Sequence, residues 1–209
     1  MRVLGLTGGI GMGKSTTARL LGRAGGRIFD ADAVVRALQA PHGAALPAID
    51  RLVPGCVRGG VLDRVALRAA ALADPAVMRG LEAIMHPLVR RARQRFLARA
   101  RRDGCRWVVL DIPLLFETGA QRQCDRVAVV SAPAAIQRAR VMRRGTMTSG
   151  QIDAVLARQM PDALRRRRAD AVIRTGLSRH ETVRQVRRLL QAMREGGPAA
   201  WAAARGKRA

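Results

Sequence analysis

Along this chain, short and continuously apolar runs alternate with longer stretches whose apolar positions recur at helical spacing. Val3 to Leu6 has no polar interruption, the pattern of a strand buried on both faces. Thr16 to Arg23 follows it with helical spacing. Arg27-Ile28-Phe29 predicts a second short strand, which ends in Asp30-Ala31-Asp32. From residue 33 to 103 the signals are all helical. Asp63 stands before Arg64 to Leu72, Asp74-Pro75 reads as an N-cap with Pro at N1, and Pro87 opens a helix to Arg102. An all-helical insertion is therefore expected. Asp103-Gly104 marks a turn, and Trp107 to Asp111 and Arg126 to Val130 are strands too apolar to be half exposed. Pro133 to Arg144 and Ser149 to Met160 predict two arginine-rich helices joined by a glycine-containing turn. Ala171 to Ile173 predicts the last strand. Ser178-x-x-Glu181 reads as a capping box for a helix to about Glu195, stopped by Gly196-Gly197-Pro198. Residues 197–209 read as a frayed, disordered tail.

Strands that alternate with helices predict an α/β fold with a parallel sheet, and right-handed crossovers put the loop after the first strand at its carboxyl edge. That loop is Gly8-Gly9-Ile10-Gly11-Met12-Gly13-Lys14-Ser15, a match to G-x-x-x-x-G-K-[ST] with the required strand before it and helix after it. Glycines let the backbone turn tightly and aim successive N–H groups at phosphate oxygens, and the helix adds its N-terminal partial positive charge. Lys14 supplies a compact ammonium that can follow a migrating phosphoryl group. The Ser15 hydroxyl suits Mg²⁺.

Composition changes the picture in three ways. A chain of 209 residues can bury one full core with an inserted lobe. No apolar run approaches 18 residues and the N-terminus enters a strand directly, so no membrane association and a cytoplasmic location are expected. Cys56, Cys105 and Cys124 are odd in number and widely spaced, which predicts packing thiols and no disulfide or zinc site. The net charge of +24 invites a nucleic-acid reading. Against it, the five aromatics, Phe29, Phe96, Phe116, Trp107 and Trp201, are not interleaved with basic stretches as stacking platforms would be. Of the 39 lysines and arginines only Lys14 and Lys207 are lysine, a bias spread over the whole chain. Small polyanions are the partners this field favours, with no specific nucleic acid.

Phosphoryl transfer needs Mg²⁺, cations on the migrating group and a residue that orients the nucleophile. Asp111 ends a hydrophobic strand, where a carboxylate holds Mg²⁺ directly or through water; a cap on the next turn is the competing reading. Asp32 lies just past the second strand, where it could act as base on an acceptor hydroxyl, although Asp30 or Asp32 could instead cap the following helix. Arg140, Arg143 and Arg144 are candidate cations, with a solvated basic face as their alternative. Neither lysine is followed by x-Asp, so an N-K-x-D guanine-reading motif is absent. A motor or helicase would need more length and further coupling motifs. A small kinase fits better.

The residues Leu4 to Thr16 resemble the opening of dephospho-CoA kinases, and further motifs follow in the same order. Asp30-Ala31-Asp32 is similar to the family's acidic pair. Leu62-Asp63-Arg64, Leu67-Arg68, Asp74-Pro75, Leu81-Glu82 and His86-Pro87-Leu88-Val89 match its helical acceptor lobe. Asp111 to Glu117 resembles the segment after its third strand. Gln137, Arg140 and Arg144, then Arg158-Gln159-Met160 and Ala169 to Ile173, follow its lid and final strand. The resemblance runs from residue 1 to about 193. Met12 replaces a small residue at a position expected to contribute backbone, Leu72 an aromatic, and Arg174-Thr175 stands where an Asn usually follows, which puts adenine recognition at that loop in question.

The resemblance implies a three-layer P-loop NTPase fold with a core of 1–32, 104–138 and 168–196, an acceptor-binding lobe of 33–103 and a helical lid of 139–167. It implies transfer of the γ-phosphoryl of ATP, with Mg²⁺, to the ribose 3′-hydroxyl of dephospho-CoA. Gly9, Gly11, Met12, Gly13, Lys14, Ser15 and Thr16 would bind ATP, and Arg140 and Arg144 would close over it. Lys14, Asp32 and Arg140 would be catalytic, and Ser15 and Asp111 would hold the metal. Arg64, Arg68, His86, Arg90 and Leu114, with Asp32, would bind the acceptor. Another small-molecule or nucleotide kinase is the alternative within the class, and a nucleic-acid-dependent NTPase the one outside it.

Overall fold

The computed structural model describes residues 1–145 and 147–205, without the side chain of Arg158. In chain order its first elements are β1 (Arg2–Thr7), α1 (Lys14–Arg23), β2 (Arg27–Asp30), α2 (Ala31–Leu38), α3 (Leu46–Leu52), β3 (Val57–Arg58), β4 (Val61–Leu62), α4 (Arg64–Ala73) and α5 (Pro75–Arg102). Then come β5 (Trp107–Asp111), a 3₁₀ turn (Ala120–Gln123), β6 (Arg126–Ser131), α6 (Ala134–Met142), α7 (Ser149–Arg158), α8 (Asp162–Arg168), β7 (Ala171–Arg174), α9 (Arg179–Glu195) and α10 (Pro198–Arg205). They form two compact units, 1–29 with 104–209, and 30–103.

The first unit is built on a five-stranded sheet in the order β2-β5-β1-β6-β7, with β1 parallel to β5 and β6, and β6 parallel to β7. The uninterrupted apolar runs are explained by burial on both faces. Leu4, Leu6, Val109, Ala128, Val130 and Ile173 enter one core with Leu21 of α1 and Val186 and Leu189 of α9. Their strand neighbours Val3, Val108, Leu110, Val127 and Val129 are buried as well. This places the β1–α1 loop at the middle of the sheet's carboxyl edge, with β5 and β6 on either side.

α10 falls within the tail expected to be frayed. Trp201 and Ala204 are buried against the main core, and the Arg126 guanidinium lies 5.6 Å from the Trp201 ring. The apolar content of Pro198–Arg205 is enough to dock a helix once a core surface is available, which local breaker signals do not reveal. Residues 206–209 of that tail lie outside the described residues. α8 was also absent from the expected elements.

The second unit departs from an all-helical insertion. β3 and β4 form an antiparallel hairpin around Gly59-Gly60, whose φ values of 56° and 75° are those of a two-residue primed turn. Four residues of strand are too few to register as a periodic pattern. α5 does not begin at Pro87 but runs through it. Pro87 removes one backbone donor, a defect of about 3 kcal/mol, yet α5 packs against α2, α3 and α4 and buries Met85 and Leu97 on either side of it. Tertiary packing carries the helix past the proline. Cys56 is buried in this unit's core, and that burial pushes its thiol pKa up, consistent with a packing role.

Candidate active site

Residues 8–13 turn the chain from β1 into α1. Gly11 and Gly13 have φ of 75° and 91°, conformations that side chains rarely adopt. A Cβ on Gly11 would stand 2.7 Å from Val141 Cγ2 and 2.8 Å from the Gln137 carbonyl oxygen, so the loop and α6 meet backbone to backbone. Gly13 is the N-cap residue of α1 and no side chain caps the helix, whereas Asp30, Asp63, Asp74 and Ser178 cap α2, α4, α5 and α9. No side chain therefore occupies the first amides of α1, an arrangement that suits an anion.

Lys14, the first residue of α1, is drawn inward. Its Nζ donates to Asp111 Oδ1 at 2.6 Å, with the two side chains only 13% and 6% exposed. The strand-end carboxylate and the loop lysine, 97 residues apart, therefore share one spot at the ends of β1 and β5. Ser15 is exposed and Thr16 half-buried at the start of the same helix.

Four side chains from three segments brace the loop. The Ile10 N–H donates to Gln159 Oε1 at 3.2 Å, and Gln137 Nε2 donates to the Ile10 carbonyl at 2.8 Å. Thr175 Oγ1 donates to the Met12 carbonyl at 2.6 Å and accepts from Arg140 Nη1 at 2.9 Å. Arg140 Nη2 also donates to the Thr175 carbonyl at 2.6 Å. Thr175, marked in the sequence only as a departure, joins Arg140 to the loop. Met12 also differs from expectation: besides its backbone it contributes a buried thioether, whose Sδ accepts the Ala132 N–H at 3.0 Å. Between Gly11, Gly13 and Thr16 on one side and Arg140, Arg143, Arg144 and Thr175 on the other opens a pocket of about 350 Å³, in the range of small-molecule sites.

The family model of dephospho-CoA kinase matches residues 2–180, which include this loop, Asp111 and the bracing residues. The chain belongs to the dephospho-CoA kinase family. The dephospho-CoA kinase of Gluconobacter oxydans (strain 621H) is 52% identical over 199 residues, covering 93% of this chain and 99% of that protein. The crystal structure of TT1252 from Thermus thermophilus superposes with a TM-score of 0.81 at 35% identity, covering 91% of this chain and 96% of that one. The dephospho-CoA kinase from Campylobacter jejuni shares the fold at a TM-score of 0.71 and 21% identity, over 94% and 99% of the two chains.

The residues expected to serve a dephospho-CoA kinase as its acceptor side lie mainly in the second unit. Asp30 Oδ1 accepts the Ala33 N–H at 2.9 Å, so Asp30 caps α2 and the exposed Asp32 in its first turn is released from that duty. Arg64 and Arg68 are exposed one turn apart on α4, and His86 and Arg90 one turn apart on α5, against which α4 packs. Leu114, in the first unit, is 43% exposed just after β5. Arg138 of α6 pairs with Asp153 of α7, and that hydrogen bond holds the Asp153 carboxyl below its ordinary pKa.

Among the described residues no three His, Cys, Asp or Glu side chains converge as a metal-binding group. The donors beside the loop are hard oxygens in small number, Ser15 and Asp111, which fits Mg²⁺ held largely by substrate phosphates. No described helix is long and apolar enough to cross a membrane.

Proposed function

We propose that this kinase transfers the γ-phosphoryl group of ATP to the ribose 3′-hydroxyl of dephospho-CoA, giving CoA and ADP, the last step of coenzyme A biosynthesis. The observation that carries this reading is the match of residues 2–180 to the dephospho-CoA kinase model, over a loop whose lysine and strand-end acid meet at 2.6 Å. The 3′-oxygen forms the new P–O bond as the bond from the γ-phosphorus to the β–γ bridging oxygen breaks, and the hydroxyl proton goes to a base.

Asp32 is that base in our reading, since Asp30 does the capping. The 8–13 backbone and the first amides of α1 bind the phosphates. Lys14 exchanges Asp111 for phosphate oxygens, which leaves Asp111 and Ser15 as the oxygen donors for Mg²⁺. Bound there, the metal neutralises phosphate charge. The pocket beside Arg140, Arg143 and Arg144 takes the nucleoside, where guanidinium planes, in place of aromatic rings, can stack on adenine. Arg64, Arg68, His86 and Arg90 bind the acceptor's phosphates, and Leu114 contacts the acceptor.

The decisive experiment measures ADP release with dephospho-CoA, AMP, shikimate and gluconate as acceptors. A strong preference for dephospho-CoA is expected; equal rates would overturn the assignment in favour of another small-molecule or nucleotide kinase.

A further inference from the structure

Arg165 is the largest fully buried side chain in the described molecule, at 2% exposure, yet its guanidinium is poorly satisfied. Among the described residues its one hydrogen bond runs from Nη2 to Glu117 Oε1 at a long 3.4 Å, and Nε, wholly buried, has no partner. Nη1 lies against the phosphate loop: a Cβ on Gly9 would stand 2.9 Å from it. A buried charge normally has its donors filled, because desolvating a guanidinium costs several kcal/mol that one weak bond does not offset.

Holding α8 in place does not account for it. Asp162, at the start of α8, accepts from Ser131 Oγ of β6 at 2.7 Å, and Arg168, at its end, lies 4.8 Å from the Phe116 ring. The helix is fastened at both ends without Arg165. Glu117 is likewise occupied by another donor, the Met160 N–H, at 3.2 Å. What remains is a preformed cation with free donors beside Gly9, in a loop shaped for phosphate.

We propose that Arg165 is a second phosphate-binding cation of the site: its guanidinium leaves Glu117 and donates to polyphosphate oxygens of the bound nucleotide, opposite the contribution of Lys14. This rests on the kinase reading above. The planar fork suits two phosphate oxygens at once, where Lys14 acts as a point charge. Glu117 then acts as a holder that keeps the guanidinium aimed while no phosphate is present.

The test compares binding of ATP, ADP and adenosine by calorimetry, and turnover with dephospho-CoA, in wild type, Arg165→Met, Glu117→Gln and the double variant Arg165→Met/Glu117→Gln. Arg165→Met is expected to weaken ATP binding by about tenfold or more, to leave adenosine binding within about twofold, and to lower kcat by about a hundredfold. Glu117→Gln is expected to tighten ATP binding, because the guanidinium no longer has to leave a carboxylate. Recovery of ATP binding in the double variant would show that Arg165 only balances Glu117 and would overturn the proposal. So would unchanged ATP binding in Arg165→Met, or weakened or unchanged ATP binding in Glu117→Gln, a reading that holds even if Arg165→Met fails to fold. Wild type that binds ATP but does not turn over dephospho-CoA would sink the assigned reaction and leave the role of Arg165 to be judged on the binding data.

Discussion

Lys14 donates to the Asp111 carboxylate, and in the proposed reaction it also serves a nucleotide phosphate, so its substitution should be felt in both. Lys14→Met should abolish phosphoryl transfer, and by leaving Asp111 buried without this cation should also cost about 3 kcal/mol of stability. Lys14→Met/Asp111→Asn should regain most of the melting temperature and none of the activity; calorimetry alongside the ADP assay checks both. Asp32 is the opposite case, an exposed carboxylate with no capping duty. Asp32→Asn should lower kcat by about a hundredfold or more while the ATP dissociation constant stays within about threefold. Equal losses in both would count against a base. The sequence singled out Lys14, Asp111 and Asp32, because their types and their places after strands are local properties. It was silent on Arg165, one arginine within a run of four from Arg165 to Arg168, since only burial separates it from the half-buried Arg166 and the exposed Arg167 and Arg168.

Elements whose signals are local came out where the pattern put them: β1 with its loop, α1, β5, β6, and α9 between its Ser178 cap and Gly196. Those decided by packing did not. The break expected at Pro87 is overridden by three helices packed on α5, the β3–β4 hairpin needed the Gly59-Gly60 turn to be weighed above the surrounding helical signals, and α10 needed a core surface to dock on. The last of these has a measurable consequence. Trp201→Ala should destabilise the protein by about 3 kcal/mol, seen as a lower urea midpoint with little change in slope; a frayed tail would show no change at all.

Across the molecule, +24 charges create a field that draws in polyanionic substrates. Raising the salt from about 50 to 500 mM shortens the Debye length severalfold, so kcat/KM for ATP should fall while kcat changes little. Polynucleotide should not stimulate ATP hydrolysis; a steep stimulation would revive the nucleic-acid reading. The alternation of elements, the phosphate loop and the identity of its lysine and acids were determined by the sequence alone, because strand burial, helix periodicity and glycine-dependent turns are written within a few residues of one another. The company those residues keep was decided by the tertiary structure. Thr175 holds a loop 163 residues away, Lys14 meets an acid 97 residues away, and a buried guanidinium stands beside Gly9. Such pairings depend on distances in space, and a hydrogen bond or an unsatisfied buried charge exists only once the sheet has brought its strand ends together.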